Sequence, residues 1–388
     1  MNELAQKFYP EVSRIRQHLH QYPELSTQEF ETSKFIQSEL DKLGIPYEIM
    51  DKTGVVGLIK GKHPGKTVLL RADMDALPIE EEVDIPFKSK NPGRMHACGH
   101  DGHTAGLLGA AMILNALKGD LHGTIKLMFQ PDEEVSGGAQ RMIAAGILEN
   151  PKVDAAFGLH LWGPLPQGKV YYKDGPMMAA PDQFDITITG RGTHAAMPHL
   201  GIDPIVIGSQ IVTQLQTIPS RKLNPLSPAV ISVTGFNAGG DAHNVIPQQA
   251  HLKGTVRTLD PETRKIIPTL MENILKGHEL SDGISYAFDY KYLYPPVINN
   301  EDTNKIAVAA FEKVVGAENV SQLSEPNMGG EDFSYLGELI PTSYLFVGIA
   351  EPGKPAPIHH HPEFQWNDEI LKITSAGLAQ TAWDFLNS

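Results

Sequence analysis

The sequence predicts an α/β protein: a mixed sheet with helices packed on it, interrupted by an inserted α+β domain. Three observations carry that expectation. Runs at residues 55–59, 67–70, 124–129 and 153–159 are almost wholly apolar, as strands buried on both faces are. From residue 182 the pattern changes to apolar–polar alternation, the mark of an antiparallel sheet with one wet face. At 388 residues the chain also exceeds the length at which a single core usually divides.

Hydrophobic residues make up 41% and charged residues 20%, as in ordinary globular proteins. The net charge of −14 and the lack of Lys/Arg-rich stretches argue against nucleic acid or an anionic membrane as partner. One cysteine excludes an intramolecular disulfide. Met1-Asn2-Glu3-Leu4-Ala5-Gln6-Lys7 has no apolar signal core, and no apolar run approaches the ~20 residues of a membrane helix. A cytoplasmic protein is the expectation.

Taken in order, Ser26-Thr27-Gln28-Glu29 matches a capping box, in which hydroxyl and carboxylate satisfy each other's free backbone donors. Behind it Ile36, Leu40 and Leu43 share one helical face, and Gly44 with Pro46 ends the helix. His18 and His20, just before, suit packing or the surface better than ligation. The run at 67–70 leads into Arg71-Ala72-Asp73-Met74-Asp75-Ala76-Leu77-Pro78, at the C-terminal tip where α/β sheets hold their ligands. Asp73 and Asp75 can bind metal, orient a ligand histidine or cap a helix. Residues 104–117, rich in Ala and Leu, form a helix. The strand at 124–129 ends at Gln130-Pro131-Asp132-Glu133-Glu134, and that at 153–159 ends at His160. Polar residues at three neighbouring strand tips give the geometry of a site.

Alternating strands at 182–190, 229–235, 249–257 and 286–292, with helices at 204–218 and from 261, give the order β-α-β-β-α-β, a ferredoxin-like sandwich. The expected division is 1–181 with 294–388 as one domain and 182–293 as the insert. The remainder resumes α/β character, with an acidic Gly-rich turn at 329–334, three histidines at His359, His360 and His361, and a final helix from about Asp368. Met177, Met178 and Phe236 suit core packing or a side-chain pocket.

The chain is organised around Met95-His96-Ala97-Cys98-Gly99-His100-Asp101-Gly102-His103. Cys98 and His100 present a thiolate and an imidazole two residues apart, suited to one or two borderline-soft metal ions. A buried thiol with helix-capping histidines is the plainer alternative. Together with the strand-tip Glu and His residues, the inventory exceeds the needs of one tetrahedral ion and accommodates two ions sharing a ligand. Of the adjacent Glu133 and Glu134, one can ligate while the other moves protons. The reaction class expected is attack of a metal-bound hydroxide on an amide or ester carbonyl. A catalytically silent metal or ligand binder, and a redox role for Cys98, are the readings from other classes.

These motifs, with Leu19-His20-Gln21-Tyr22-Pro23-Glu24-Leu25, Gly190-Arg191-Gly192-Thr193-His194-Ala195-Ala196-Met197-Pro198-His199, Asn244-Val245-Ile246-Pro247 and Gly329-Gly330-Glu331-Asp332-Phe333, resemble the dinuclear metal amidohydrolases. That family includes bacterial aminoacylases, hippurate hydrolases, plant auxin-conjugate hydrolases and N-acetyl-diaminopimelate deacetylases, within a clan shared with glutamate carboxypeptidases. The resemblance covers nearly the whole chain. It implies a metallopeptidase-like α/β/α catalytic domain and an inserted lid that pairs subunits as a homodimer or homotetramer. It also implies two divalent ions per subunit (Zn or Mn, with Co or Ni as alternatives) on Cys98, His100, Glu134, His160 and His360. Cys98 would stand where wider relatives place a bridging aspartate. Of the three late histidines, His360 matches the family's ligand by lying two residues before the proline. Glu133 would be the general base, His194 an oxyanion donor in its own or a partner subunit's site, and Asn244 and Arg257 the substrate-carboxylate holders. The implied reaction converts N-acetyl- or aromatic-acyl amino acids to an acid and a free amino acid; a metallo-carboxypeptidase acting on dipeptides or short peptides is the alternative.

Overall fold

The computed structural model describes residues 1–388, which divide into two compact units. The first comprises Met1–Met177, Ile298–Glu325 and Asp332–Ser388; the second comprises Met178–Val297 with Pro326–Glu331. The segment Pro326–Glu331 thus belongs with the second unit, outside the bounds read from sequence.

The first unit is built on an eight-stranded mixed sheet. Its strands include β1 (Tyr47–Met50), β2 (Gly54–Lys60), β3 (His63–Asp73), β4 (His122–Gln130), β5 (Ala155–Pro166) and β6 (Val170–Tyr172). The order is β1-β2-β4-β3-β5, then the strand Thr342–Ala350, β6 and Val320–Gln322. β3 lies parallel to both β4 and β5, and Thr342–Ala350 is parallel to β5. Residues 67–73 of β3 are buried throughout, so the two-faced apolar pattern corresponds to a strand covered on both sides. Parallel pairing carries the C-terminal ends of β3 and β4 to the same edge, with Asp73 opposite Gln130.

Helices α1 (Asn2–Gln21), α2 (Phe30–Leu43) and α3 (His100–Ala116) share one core with the sheet and the C-terminal helix Ile370–Leu386. Beyond its polar first turn, helix α3 is apolar on every side, and it is buried along nearly its whole length, as a core helix must be. It approaches the C-terminal helix so closely that a Cβ on Gly109 would lie 2.1 Å from the Ser375 hydroxyl oxygen. Only glycine fits there.

Three local expectations are corrected. Helix α3 begins at His100, four residues before the Ala/Leu-rich stretch, because Gly99 takes a left-handed φ of 91° and starts the helix early. β5 runs on through His160 to Pro166 instead of ending at that histidine, since the neighbouring strand stays paired with it. The capping box does not form. Helix α2 starts at Phe30, and the Ser26 hydroxyl donates to Asp75 (2.6 Å), a stronger charge-assisted bond than its own backbone offers.

The second unit carries four antiparallel strands in the order Ala229–Ala238, Gln249–Thr258, Ala180–Thr189, Ser285–Lys291. Helices Pro204–Leu215 and Pro261–Asp282 cover one face, each opened by an aspartate cap followed by proline at the first helical position. Phe184, Ile186, Ile188, Leu252 and Val256 point from the sheet onto Ile207, Ile211, Ile267 and Leu275 of the helices. Each such side chain contributes about 2 kcal/mol by leaving water. Met177 and Met178 are buried core residues, whereas Phe236 is partly exposed.

Candidate metal centre

The first unit brings together residues far apart in sequence. Met95 exchanges backbone hydrogen bonds with Leu77 (3.1 and 3.0 Å), which pins the Cys98 loop against the segment following β3. Gly99 turns that loop into α3, placing His100 on the first helical residue. β4 delivers Glu133 and Glu134 from its C-terminal loop, and β5 delivers His160.

The donor atoms of Cys98, His100 and His160 lie within 4.8 Å of one another, and so do those of Cys98, Glu134 and His360. Cys98 belongs to both groups. Its sulfur is 3.5 Å from His160 Nε2. His360 Nε2 is 3.2 Å from Glu134 Oε1, on a backbone held at φ 59° by its N–H donating to the Ala97 carbonyl (2.9 Å). Glu133 is buried, with Oε1 3.4 Å from the Asp332 N–H and a carboxylate oxygen within 4.8 Å of donor atoms of His100 and Glu134. His96, in the same motif, belongs to none of these groups.

Carboxylates behind the donors set their orientation. His100 Nδ1 donates to the Asp75 carbonyl (2.9 Å) and faces its Oδ1 (3.2 Å), so the neutral ring directs its lone pair through Nε2. The other oxygen of Asp75 accepts from the Glu134 N–H (3.1 Å). One carboxylate therefore fixes a donor ring and the backbone of a second donor. His160 Nδ1 likewise donates to the Leu161 carbonyl (2.7 Å), freeing its Nε2. Asp73 takes His103 Nδ1 (2.6 Å) and Arg71 (2.7 Å), while His103 Nε2 accepts from the Leu161 N–H (2.9 Å). Arg71 continues to Asp332 (2.8 Å), which also accepts from Gln130 and the Ala139 N–H. With both nitrogens engaged, His103 braces α3 against β5.

Electrostatics mark the same spot. Burial, with the carboxylates of Glu134, Glu133 and Asp73 nearby, pushes the Cys98 thiol well up. Burial alone would depress His100; Asp73, Asp75 and Glu134 override it and raise it to about 10. Burial, reinforced by His103 and His359, holds His160 well down and thus neutral. His100 Nε2 and Glu134 Oε1 are buried atoms with no aligned hydrogen-bond partner. Bound dications, one at each donor group, would satisfy both. A thiolate, imidazoles and a carboxylate are the donor set of zinc-like dications, so the residues fit such ions.

Among the late histidines only His360 joins a donor group. His359 Nε2 accepts from the Gly163 N–H (3.2 Å), and burial, with His360 and His103 nearby, takes it down to about 3. His361 is exposed and accepts from the Glu363 N–H (3.2 Å).

In the second unit His194 sits on a two-residue ribbon paired with Val245 and Ile246, beside Asn244, whose carbonyl accepts from the Ala195 N–H (2.9 Å). His194 Nδ1 accepts from the Ala196 N–H (3.1 Å), which leaves the proton of the neutral ring on exposed Nε2 as a donor. The Arg257 guanidinium is half-buried and hydrogen-bonds only to neutral oxygens, the Met328 and Val256 carbonyls and the Thr255 hydroxyl, with the Asp182 carboxylate acting on it without an ion-pair contact. A half-buried guanidinium without an ion pair suits an anion.

Sequence reasoning missed the braces Arg71, Ser26 and Glu29. A charged residue inside an otherwise apolar strand was the available signal for Arg71.

Residues 69–384 match the family model described as Peptidase family M20/M25/M40. The chain is 49% identical over 304 residues to the N-acyl-L-amino acid amidohydrolase of Geobacillus stearothermophilus, covering 78% of this chain and 81% of that protein. It is 40% identical to the N-acetylcysteine deacetylase of Bacillus subtilis, over 97% of both. A Bacillus subtilis crystal structure described as a dinuclear metal-binding peptidase from the M20 family superposes with a TM-score of 0.86 at 37% identity, covering 98% of this chain and 99% of that one.

Proposed function

This chain belongs to peptidase family M20/M25/M40, and from that premise we propose that it hydrolyses N-acyl-amino acids to a carboxylic acid and a free amino acid. The observation that carries the reading is the pair of donor groups sharing Cys98 beside a buried glutamate. We assign Cys98, His100 and His160 to one dication and Cys98, Glu134 and His360 to the other, with zinc or manganese favoured and cobalt or nickel admissible.

Bound dications supply Lewis acidity, polarising the scissile carbonyl and lowering the pKa of water. Glu133 takes the proton of the attacking water on its carboxylate and hands it to the departing nitrogen, so one group acts as base and then as acid. The His194 Nε2–H donates to the carbonyl oxygen as negative charge grows there, a contribution of ~3 kcal/mol to the barrier. Asn244 and Arg257 hold the substrate carboxylate, which the unpaired guanidinium supports.

The second unit is assigned to subunit pairing and lid function, in a homodimer or homotetramer. Ile205, Val206 and Val230 on that unit are exposed apolar side chains that a subunit contact would cover. No helix is long and apolar enough to cross a membrane, and we assign the protein to the cytoplasm.

The test is a panel of N-acetyl-Met, N-benzoyl-Gly and a dipeptide. Activity on the first two, abolished by chelator and restored by dication, is expected. Preference for the dipeptide would move the assignment to a carboxypeptidase, and full turnover by dication-loaded Glu133→Gln would remove Glu133 from its role.

A further inference from the structure

The loop that delivers Glu133 and Glu134 holds an awkward backbone, and one buried side chain grips it. Asp132 adopts φ 54°, the left-handed region that non-glycine residues seldom occupy. Its N–H donates to Glu29 Oε1 (2.9 Å). The same oxygen accepts from the Thr27 N–H (2.9 Å), and Glu29 Oε2 accepts from the Thr53 hydroxyl (3.1 Å). Glu29 is wholly buried and forms no ion pair.

We propose that Glu29 is a positioning residue that sets the loop carrying Glu133 and Glu134 by gripping the Asp132 N–H. The proposal rests on the amidohydrolase reading for what the loop does; what Glu29 does rests on geometry alone. Its carboxylate ties three segments at one point: the entry to α2, the turn between β1 and β2, and the loop after β4. That turn also reaches the loop by a second route, because Arg141 links Asp51 (2.7 Å) to the Asp132 carboxylate (2.8 Å). The Arg141 route holds the Asp132 side chain. The Asp132 carbonyl accepts from the Gly138 N–H (2.9 Å) and Asp75 holds the Glu134 N–H (3.1 Å), while Glu29 is the side chain that holds the N–H of the residue immediately before Glu133.

The demand at this place is for one oxygen that takes both N–H groups and a second polar atom facing the Thr53 hydroxyl, at the right reach, rather than for charge. Burial pushes the Glu29 carboxyl up to about 7, and the Asp75 carboxylate adds to the push. Glutamine meets the demand: its carbonyl oxygen takes both N–H groups, and its amide faces the Thr53 hydroxyl, which rotates to accept. Aspartate keeps the charge and loses the reach. The two variants therefore separate grip from charge.

The experiment compares wild type, Glu29→Asp and Glu29→Gln by hydrogen exchange and by steady-state kinetics at saturating dication. In Glu29→Asp, amide exchange in residues 130–137 rises about tenfold while residues 98–103 are unchanged. Its kcat falls about ten- to a hundredfold with KM held within about twofold. Glu29→Gln returns both readouts to within about threefold of wild type. Impairment of Glu29→Gln with an intact Glu29→Asp would overturn the proposal in favour of charge. So would a lowered melting temperature in both variants with loop exchange and kcat unmoved. Absence of hydrolysis in the wild type removes the functional reading, and the exchange comparison still decides whether Glu29 grips the loop.

Discussion

Asp75→Asn is the sharpest perturbation of the centre that leaves every candidate donor in place. The carboxylate faces His100 Nδ1 through Oδ1 (3.2 Å), and through Oδ2 accepts from the Ser26 hydroxyl (2.6 Å) and the Glu134 N–H (3.1 Å). Asparagine has one acceptor oxygen. If that oxygen serves Ser26 and Glu134, the amide donors confront His100 Nδ1–H; if it serves His100, the amide confronts the Glu134 N–H. Either way a donor faces a donor. The ring can escape by moving its proton to Nε2, which removes the lone pair a dication needs. Loss of such a bracing carboxylate weakens dication affinity about ten- to a hundredfold, or ~1.4–2.7 kcal/mol. Competition with a chromophoric chelator measures this, and circular dichroism checks that the fold persists. Affinity within about threefold of wild type, with kcat unchanged, would refute the reasoning.

Other consequences are equally direct. The raised Cys98 thiol and His100 imidazole must lose their protons to accept a cation, so dication binding releases protons and tightens as pH rises towards 8; calorimetry in buffers of different ionisation heat reads the release. Glu29 titrates at about 7 in the folded chain against 4.5 as an ordinary carboxyl, so its ionisation costs stability that is absent below 4.5 and fully felt above 7. Glu29→Gln escapes that cost and gains up to about 3 kcal/mol over wild type at pH 8, with little gain near pH 4.5, by urea unfolding. Gly109→Ala forces a methyl against Ser375 and destabilises by about 1–3 kcal/mol despite its better helix propensity; adding Ser375→Gly recovers most of the loss in thermal melts.

What was legible in the sequence follows from range. The buried strands and the alternating strands of the second unit were legible because periodicity is a local consequence of which faces meet water. The donor side chains were legible as chemistry, since thiol, imidazole and carboxylate at strand tips have few other uses in such density. Of their braces, Asp75 was legible as one of three readings, a carboxylate that orients a ligand histidine, and the others were not. Ser26 and Glu29 look like a capping box because their spacing fits one, yet Ser26 serves a carboxylate 49 positions away and Glu29 serves an N–H 103 positions away. Gly99 hid the true start of α3 by allowing a left-handed residue where propensity suggested loop. His103 resembled a ligand as closely as His100 did; only the partners of both its nitrogens separate the two.

The most direct test is elemental analysis of gently purified wild type and Cys98→Ala, each paired with turnover of N-acetyl-Met. Because one sulfur serves both donor groups, the account predicts two dications per wild-type chain and a loss from both positions in the variant, with turnover collapsing alongside. A Cys98→Ala protein that keeps its full metal complement and its activity would contradict it.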